Sequence, residues 1–216
     1  MGRPVSTVTG RKAKAAETEA ALKAAAKRVF AERGYVNTKI TDITAAAGRA
    51  AGSFYNHFTS KDELLTALLK DMLAEGDEAA EQPTHNPDFT DRSAVRWHVA
   101  AFWTFYRRHI PEMVALRQAA MANPAFGLRL QEILAVDSAH MTGHFEHVTA
   151  AGIPLPGDPR LVVSAFQSLL DQFAYTWLVA GGDGTGRQIG DDEAIDVLTD
   201  FIHRGIAGTP PVNEER

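Results

Sequence analysis

Leu22, Ala25, Ala26, Val29 and Phe30 fall three and four residues apart, which places them on one stripe of a helix running from about Thr18 to Arg33. Gly34 stops it. A short helix is expected from Thr41 to Ala47, with Thr41 capping its first amides, Ile40, Ile43 and Ala47 facing inward, and Gly48 making a left-handed turn. The next helix, Ala51 to His57, is too short to be stable alone, so Phe54 and Phe58 must anchor it on the first two. Ser60 and Glu63 have the spacing of a capping box, and Leu64, Leu65, Leu68, Leu69 and Met72 continue a long helix behind it.

Further on, proline at 111, 124 and 159 suits helix starts, and glycine-containing breaks suit helix ends. These signals predict helices over 89–108, 111–122, 124–151, 159–180 and 191–207. No strand pattern and no internal repeat is present, so the fold class is all-α with about nine helices. The expected organisation is a basic arm over 1–16, a helix-turn-helix domain over 17–62, a helical domain over 63–208 and a tail over 209–216.

Charge sharpens this division. Residues 1–61 hold eleven Lys or Arg against four Asp or Glu, net +7, and the remainder holds eleven against twenty-three, net −12. Cation concentrated on one part of an acidic chain attracts phosphate where a helix-turn-helix would use it. Arg3, Arg11, Lys12 and Lys14 lie in the arm, which could follow a groove or remain a solvated tail. The chain has no cysteine, which excludes disulfides and thiolate metal sites and suits a reducing cytoplasm. No apolar run reaches membrane length, and MGRPVS, which formally fits an acylation pattern, is read as coincidence because no signal-peptide apolar region follows.

Chemistry assigns the contact residues of a DNA-binding surface. Lys61, in the first turn of a helix beside Ser60, is placed where ammonium and helix amides could converge on a phosphate. Thr38, Lys39 and Thr41 border the second helix and can donate to the DNA backbone, and Tyr55 and His57 expose a hydroxyl and an imidazole on the recognition helix. Base reading then falls to Arg49, Ser53 and Asn56, with close apolar approach by Ala51 and Gly52.

An alanine pair before Val29-Phe30, then Gly34-Tyr35, Thr38, Asp42-Ile43, Ala47-Gly48, Phe54-Tyr55, His57-Phe58, Lys61 and Leu64-Leu65 together resemble the tetracycline-repressor (TetR) family in order and spacing. The resemblance covers about fifty residues, and the carboxyl-terminal two thirds matches only in helical character. It implies a homodimeric transcriptional regulator, usually a repressor, that binds a near-palindromic operator and is released by a small-molecule inducer. In that family the residues matching Lys61, Tyr55 and His57 lie near phosphates.

The resemblance also implies an inducer pocket among the middle helices. Trp97, Trp103, Tyr106, Met113, Arg117, Met121, Phe126, Met141, Phe145 and Phe166 are its candidate lining. Gln167, Asp171 and Tyr175, on successive turns, could orient a polar ligand or line a dimer seam. Phe173 and Trp177 on one late helix, and Leu198, Phe201 and Ile202 on the next, are the expected dimer interface of a four-helix bundle. A helical interaction module that has lost DNA binding and a transcriptional activator are the alternative readings.

No catalytic residues are assigned, because no nucleophile, base and orienter occur together, and the expectation is a protein that is not an enzyme. His140, His144 and His147 follow at steps of four and three with Glu146 beside them, a ligand-like spacing. Histidines on an exposed helical face are commonly just solvated, and no His-Glu-x-x-His run accompanies these three. No metal and no cofactor is therefore expected. GGDGTG at 181–186 lacks a preceding strand and the Lys-Ser/Thr of a phosphate loop, and reads as a turn.

Overall fold

The computed structural model describes residues 6–82 and 84–207. Among them are ten helices and no strand: α1 Ser6–Asn37, α2 Ile40–Ala46, α3 Ala51–Phe54, α4 Lys61–Ala80, α5 Arg92–Arg108, α6 Ile110–Ala122, α7 Pro124–Asp137, α8 Ala139–Ala150, α9 Pro159–Leu178 and α10 Asp191–Ala207. None of these is long and apolar enough to cross a membrane. The expected tail over 209–216 and Arg3 of the arm lie outside the described residues.

Two elements differ from the sequence expectation. Helix α1 begins at Ser6, so Arg11, Lys12 and Lys14 sit on a helix instead of an extended arm. The run KAKAAETEA is rich in the best helix formers, and the Thr18 hydroxyl donates to the Lys14 carbonyl at 3.0 Å. The single helix expected over 124–151 is divided at Ser138, giving ten helices where nine were expected. The Ser138 hydroxyl donates back to the Leu134 carbonyl at 2.7 Å and also bonds the Gln167 side chain, a pattern that bends helices.

Two compact units result, and they do not follow a linear division at 62/63. One runs up to Glu75 and takes in Pro111–Gln131; the other comprises Gly76–Ile110 and the chain from Glu132 onward. In the first unit the stripe Leu22, Ala25, Ala26, Val29 and Phe30 is buried with Ile43, Phe54, Phe58, Leu64, Leu65 and Leu68, together with Ala115, Leu116 and Ala119 of α6. Lys27 of α1 pairs with the buried Glu112 carboxylate at 2.8 Å, which ties α6 to α1 by charge as well as by packing.

In the second unit, Phe89, Val95, Val99, Trp103 and Tyr106 are buried with Phe145 and Val148 of α8, Val163, Phe166 and Leu170 of α9, and Ile195, Leu198 and Ile202 of α10. The Trp103 indole donates to Asp191 at 2.8 Å, and Arg92 and Arg96 meet Asp200 and Asp196 at 2.7 and 3.0 Å along α5 and α10.

Leu198 and Ile202, expected at a dimer seam, belong to this interior. Their stripe on α10 is shared with Ala194, Ile195 and Ile206, all buried, and so faces the unit's own core. On α10 it is Val197 and Phe201, four residues apart, that remain exposed, with Phe201 at 69%. On α9, Leu161, Ser164, Ala165, Ser168 and Gln172 form the exposed side, whereas Phe173 and Trp177 are half-buried and their rings lie 6.1 Å apart.

Candidate nucleic-acid interface

The interface is assembled at the end of α1. Gly34 adopts φ 71°, ψ 166°, a region that L side chains rarely enter, and a Cβ there would lie 3.0 Å from the Gln118 amide oxygen. That oxygen instead accepts the Tyr35 amide at 2.7 Å, so the break in α1 is held by a side chain of α6. The Tyr35 hydroxyl donates to Asp62, whose other oxygen accepts from Asn123 at 2.8 Å. Burial, reinforced by the Asp62 carboxylate, raises the Tyr35 phenol well above its ordinary pKa, so it remains a donor.

Helix α2 is fixed at both ends by charge. Asp42 accepts the Lys39 amide at 2.9 Å and pairs with Arg33 at 3.2 Å, and Arg28 donates to the Ala46 carbonyl at 3.0 Å. Lys39, and not Thr41, is the N-cap residue, because the helix starts one residue earlier than the threonine signal suggests; Thr41 lies exposed in its first turn. Ile43 and Thr44 are buried, Ile40 and Ala47 only half-buried. Gly48 turns the chain at φ 63°.

Helix α3 is a single turn, continued by the His57 and Phe58 amides, which both donate to the Phe54 carbonyl at 2.9 Å. Ala50 caps it without a side-chain acceptor. So short an element stays helical only because Phe54 is fully buried and packs on Phe58, ring centres 5.6 Å apart. At the head of α4 the Ser60 hydroxyl accepts the Glu63 amide at 3.1 Å, while the Glu63 carboxylate reaches the Thr59 amide at 2.6 Å and not Ser60.

Of the DNA-contact residues expected from sequence, Lys39, Thr41, Ala51, Gly52, Tyr55 and Asn56 are exposed together on α2, α3 and their flanks, and Ser53 and His57 are half-buried beside them. Tyr55 is 62% exposed. A Cβ on Gly52 would meet open space and its backbone is ordinary, so nothing in the fold demands glycine there.

Three other residues have different work. Thr38 is buried, and its hydroxyl donates to the Gly34 carbonyl at 2.7 Å, because the residue closes the end of α1. The Lys61 ammonium donates to the Tyr35 and Thr38 carbonyls at 2.6 and 2.7 Å and lies 4.0 Å from the Tyr35 ring centre. Burial lowers its pKa, opposed by the neighbouring Asp62. The Arg49 guanidinium pairs with Glu17 of α1 at 2.9 Å, and its Nε is buried without a hydrogen-bond partner among the described residues. Much of the positive charge counted in residues 1–61 is thus engaged inside the unit. Sequence reasoning missed Gln118, which lies eighty-three residues from the amide it holds, and no local signal marks it.

The expected inducer lining is divided between the units. Met113, Arg117, Met121 and Phe126 belong to the first, where Met121, on the outer side of α6 near its end, is 82% exposed, which removes it from any enclosed lining within that unit. Trp97, Trp103, Tyr106, Met141, Phe145, Phe166, Gln167, Asp171 and Tyr175 belong to the second. There Phe145 and Phe166 gather around Phe89, a ring absent from the expected set. His140 and His147 are exposed and His144 is buried; the His140 and His144 rings lie 6.4 Å apart, but only His144 reaches the interior of the unit.

Known proteins resemble this chain in sequence and in fold. Residues 22–68 match the family described as bacterial regulatory proteins, tetR family. The HTH-type transcriptional repressor DhaR of Mycobacterium sp. (strain GP1) is 46% identical over 48 residues, 22% of this chain and 24% of that protein. The HTH-type transcriptional regulator EthR of Mycolicibacterium smegmatis is 23% identical over 201 residues, 91% of this chain and 89% of that protein. A TetR-like transcriptional regulator from Rhodococcus sp. RHA1 has a similar structure, with TM-score 0.64 and 26% identity, covering 89% of this chain and 97% of the other. The chain spans about a quarter to two fifths of the first curated relatives it matches. Residues 22–68 thus carry the sequence pattern of the tetR family of bacterial regulatory proteins, and the fold over most of the chain is that of a TetR-like transcriptional regulator.

Proposed function

We propose that the chain is a cytoplasmic, homodimeric transcriptional repressor that binds a near-palindromic operator and is released by a small-molecule inducer. The observation that carries this reading is the exposed face of α3. Ala51 and Gly52 leave bare backbone there, ringed by Tyr55, Asn56, Ser53, Lys39 and Thr41, an arrangement that allows close approach to DNA with donors at its border. The names of the relatives, transcriptional repressors and regulators, support the same reading.

Backbone contacts fall to Lys39, Thr41, Tyr55 and His57 and to the amides that open α4. Lys61 and Thr38 act from behind, by holding the end of α1. Arg49 reaches a base only by leaving Glu17. With so few side chains on α3 to read base edges, sequence-dependent DNA shape supplies much of the specificity.

Dimerisation uses the exposed sides of α9 and α10, with Leu161, Val197 and Phe201 buried by the partner. The inducer binds in the second unit, where Trp97, Met141, Gln167, Asp171 and Tyr175 flank the aromatic core, and it favours a protomer shape that no longer fits successive major grooves. Binding of DNA and of inducer then oppose each other reciprocally.

Selection of bound sequences from random DNA tests the proposal: two half-sites centred roughly 34–36 Å apart are expected. Tyr55→Ala is expected to weaken binding to the selected DNA about tenfold while elution as a dimer is unchanged. Enrichment of no sequence, with the dimer intact, would instead support an interaction module.

A further inference from the structure

Three imidazoles from three separate elements of the second unit meet at one point. His85 lies in the connection between α4 and α5, His98 on α5 and His144 on α8. The His85 Nε2 is 3.0 Å from the His144 Nε2 and 3.2 Å from the His98 Nε2, and the three ligand atoms lie within 4.8 Å of one another. We propose that His85, His98 and His144 form a binding site for a divalent transition metal, zinc in the first instance, through their three Nε2 atoms. The proposal does not depend on the DNA-binding reading.

Geometry supports it first. Zinc binds imidazole nitrogen at roughly 2.0–2.1 Å in tetrahedral sites, so nitrogens sharing one ion are separated by about 3.3 Å. Two of the three separations here are 3.0 and 3.2 Å, within a few tenths of an ångström of that value. The third pair, His98 and His144, lies within 4.8 Å, so seating an ion draws these two rings toward each other around His85.

Tautomer preference is the second support. The His98 Nδ1 lies 2.9 Å from the Ala94 carbonyl and the His144 Nδ1 3.3 Å from the His140 carbonyl, each four residues earlier on its own helix. A carbonyl cannot donate, so each Nδ1 carries the proton and each Nε2 presents a lone pair. Two lone pairs therefore converge on His85, whose single Nε2 proton can satisfy only one of them well. A cation satisfies all three. The backbone carbonyls act as the outer hydrogen-bond acceptors that commonly orient metal-binding histidines.

The surroundings are the third support. Phe89 packs edge-on against His98 with centres 4.8 Å apart and lies 5.2 Å from His144, and Trp97 lies 4.9 Å from His98 and 5.2 Å from His85. This aromatic wall fixes the rings and limits water. Imidazole ligates in its neutral form, with the lone pair of Nε2 directed at the ion. Three neutral ligands leave the ion's double charge uncompensated and one position open, which suits hydroxide or an anionic group of a ligand in that position.

The test uses the full chain, stripped with a chelator and titrated with zinc against a chromogenic competitor. One zinc per chain is expected, with His85→Ala weakening binding by at least about 100-fold, since loss of an outer-sphere partner alone costs 10–100-fold. His85 is only half-buried and lies outside the helices, so this variant should retain the native circular dichroism spectrum and dimer. The double variant His140→Ala/His147→Ala, which removes the exposed histidines of α8, is expected to bind as the parent does. Cobalt(II) is expected to show the intense visible bands of a four-coordinate site in the parent and none in His85→Ala. Absence of stoichiometric zinc, or loss of binding in the double variant with His85→Ala unaffected, would overturn the proposal; either result leaves the DNA-selection experiment unchanged.

Discussion

The two units put their polar side chains to opposite uses. In the first, Asp42, Arg28, Arg33, Thr38, Lys61 and Gln118 finish helix ends and turns, and the surface of α3 is left with Ala51, Gly52 and a few donors. In the second, the ion pairs lie outside, along Arg92, Arg96, Asp196 and Asp200, while His98 and His144 are drawn toward an aromatic interior where no helix end needs them. Polar groups that complete the fold are positional, and replacing them disturbs structure. Polar groups gathered where the fold has no use for them point to a ligand.

Substitutions can break or sharpen this contrast. The largest effect is expected from Phe54→Ala, which removes the anchor of a one-turn helix and should cost about 3–5 kcal/mol, lowering the thermal midpoint of unfolding by scanning calorimetry and abolishing DNA binding with it. Gly34→Ala should cost about 1–3 kcal/mol in urea titration, because the backbone is strained and Gln118 must move. Arg92→Ala, on the outer ion ladder, should cost less than about 1 kcal/mol, and the difference should shrink further in molar salt. Gly52→Asp should leave stability within about 0.5 kcal/mol, since its side chain enters open space, yet weaken DNA binding more than tenfold in an anisotropy titration by setting a carboxylate against phosphate. Equal affinity of that variant and the parent would remove α3 from the interface.

The helix-turn-helix was legible because each of its elements is specified within a few residues: a periodic stripe, Gly34 and Gly48 at positive φ, and two phenylalanines four apart. The direction of a long side chain was not legible. Lys61 sits where a phosphate could be, but two carbonyls at the end of α1 compete for the same ammonium, and only folding brings them there. Spacing misled most in the histidines. His140, His144 and His147 follow a ligand-like step on one helix, and the His140 ring does lie 6.4 Å from that of His144, but the imidazoles grouped with the buried His144 are His85 and His98, from elements fifty-nine and forty-six residues away. On α10 the stripe Leu198 and Ile202 was correctly apolar, but periodicity cannot tell a helix's own core from a partner.

The Tyr35 amide held by Gln118, and Lys27 held by Glu112, bear on how such proteins can be recombined. A chimera cut after α4 would carry the recognition helix but leave behind both of these clasps. The helix-turn-helix of this chain is therefore not a detachable cassette: a graft onto another helical domain has to bring residues 111–131 along with the first seventy-five, or supply an α6 that offers a carboxamide and a carboxylate at the same two places.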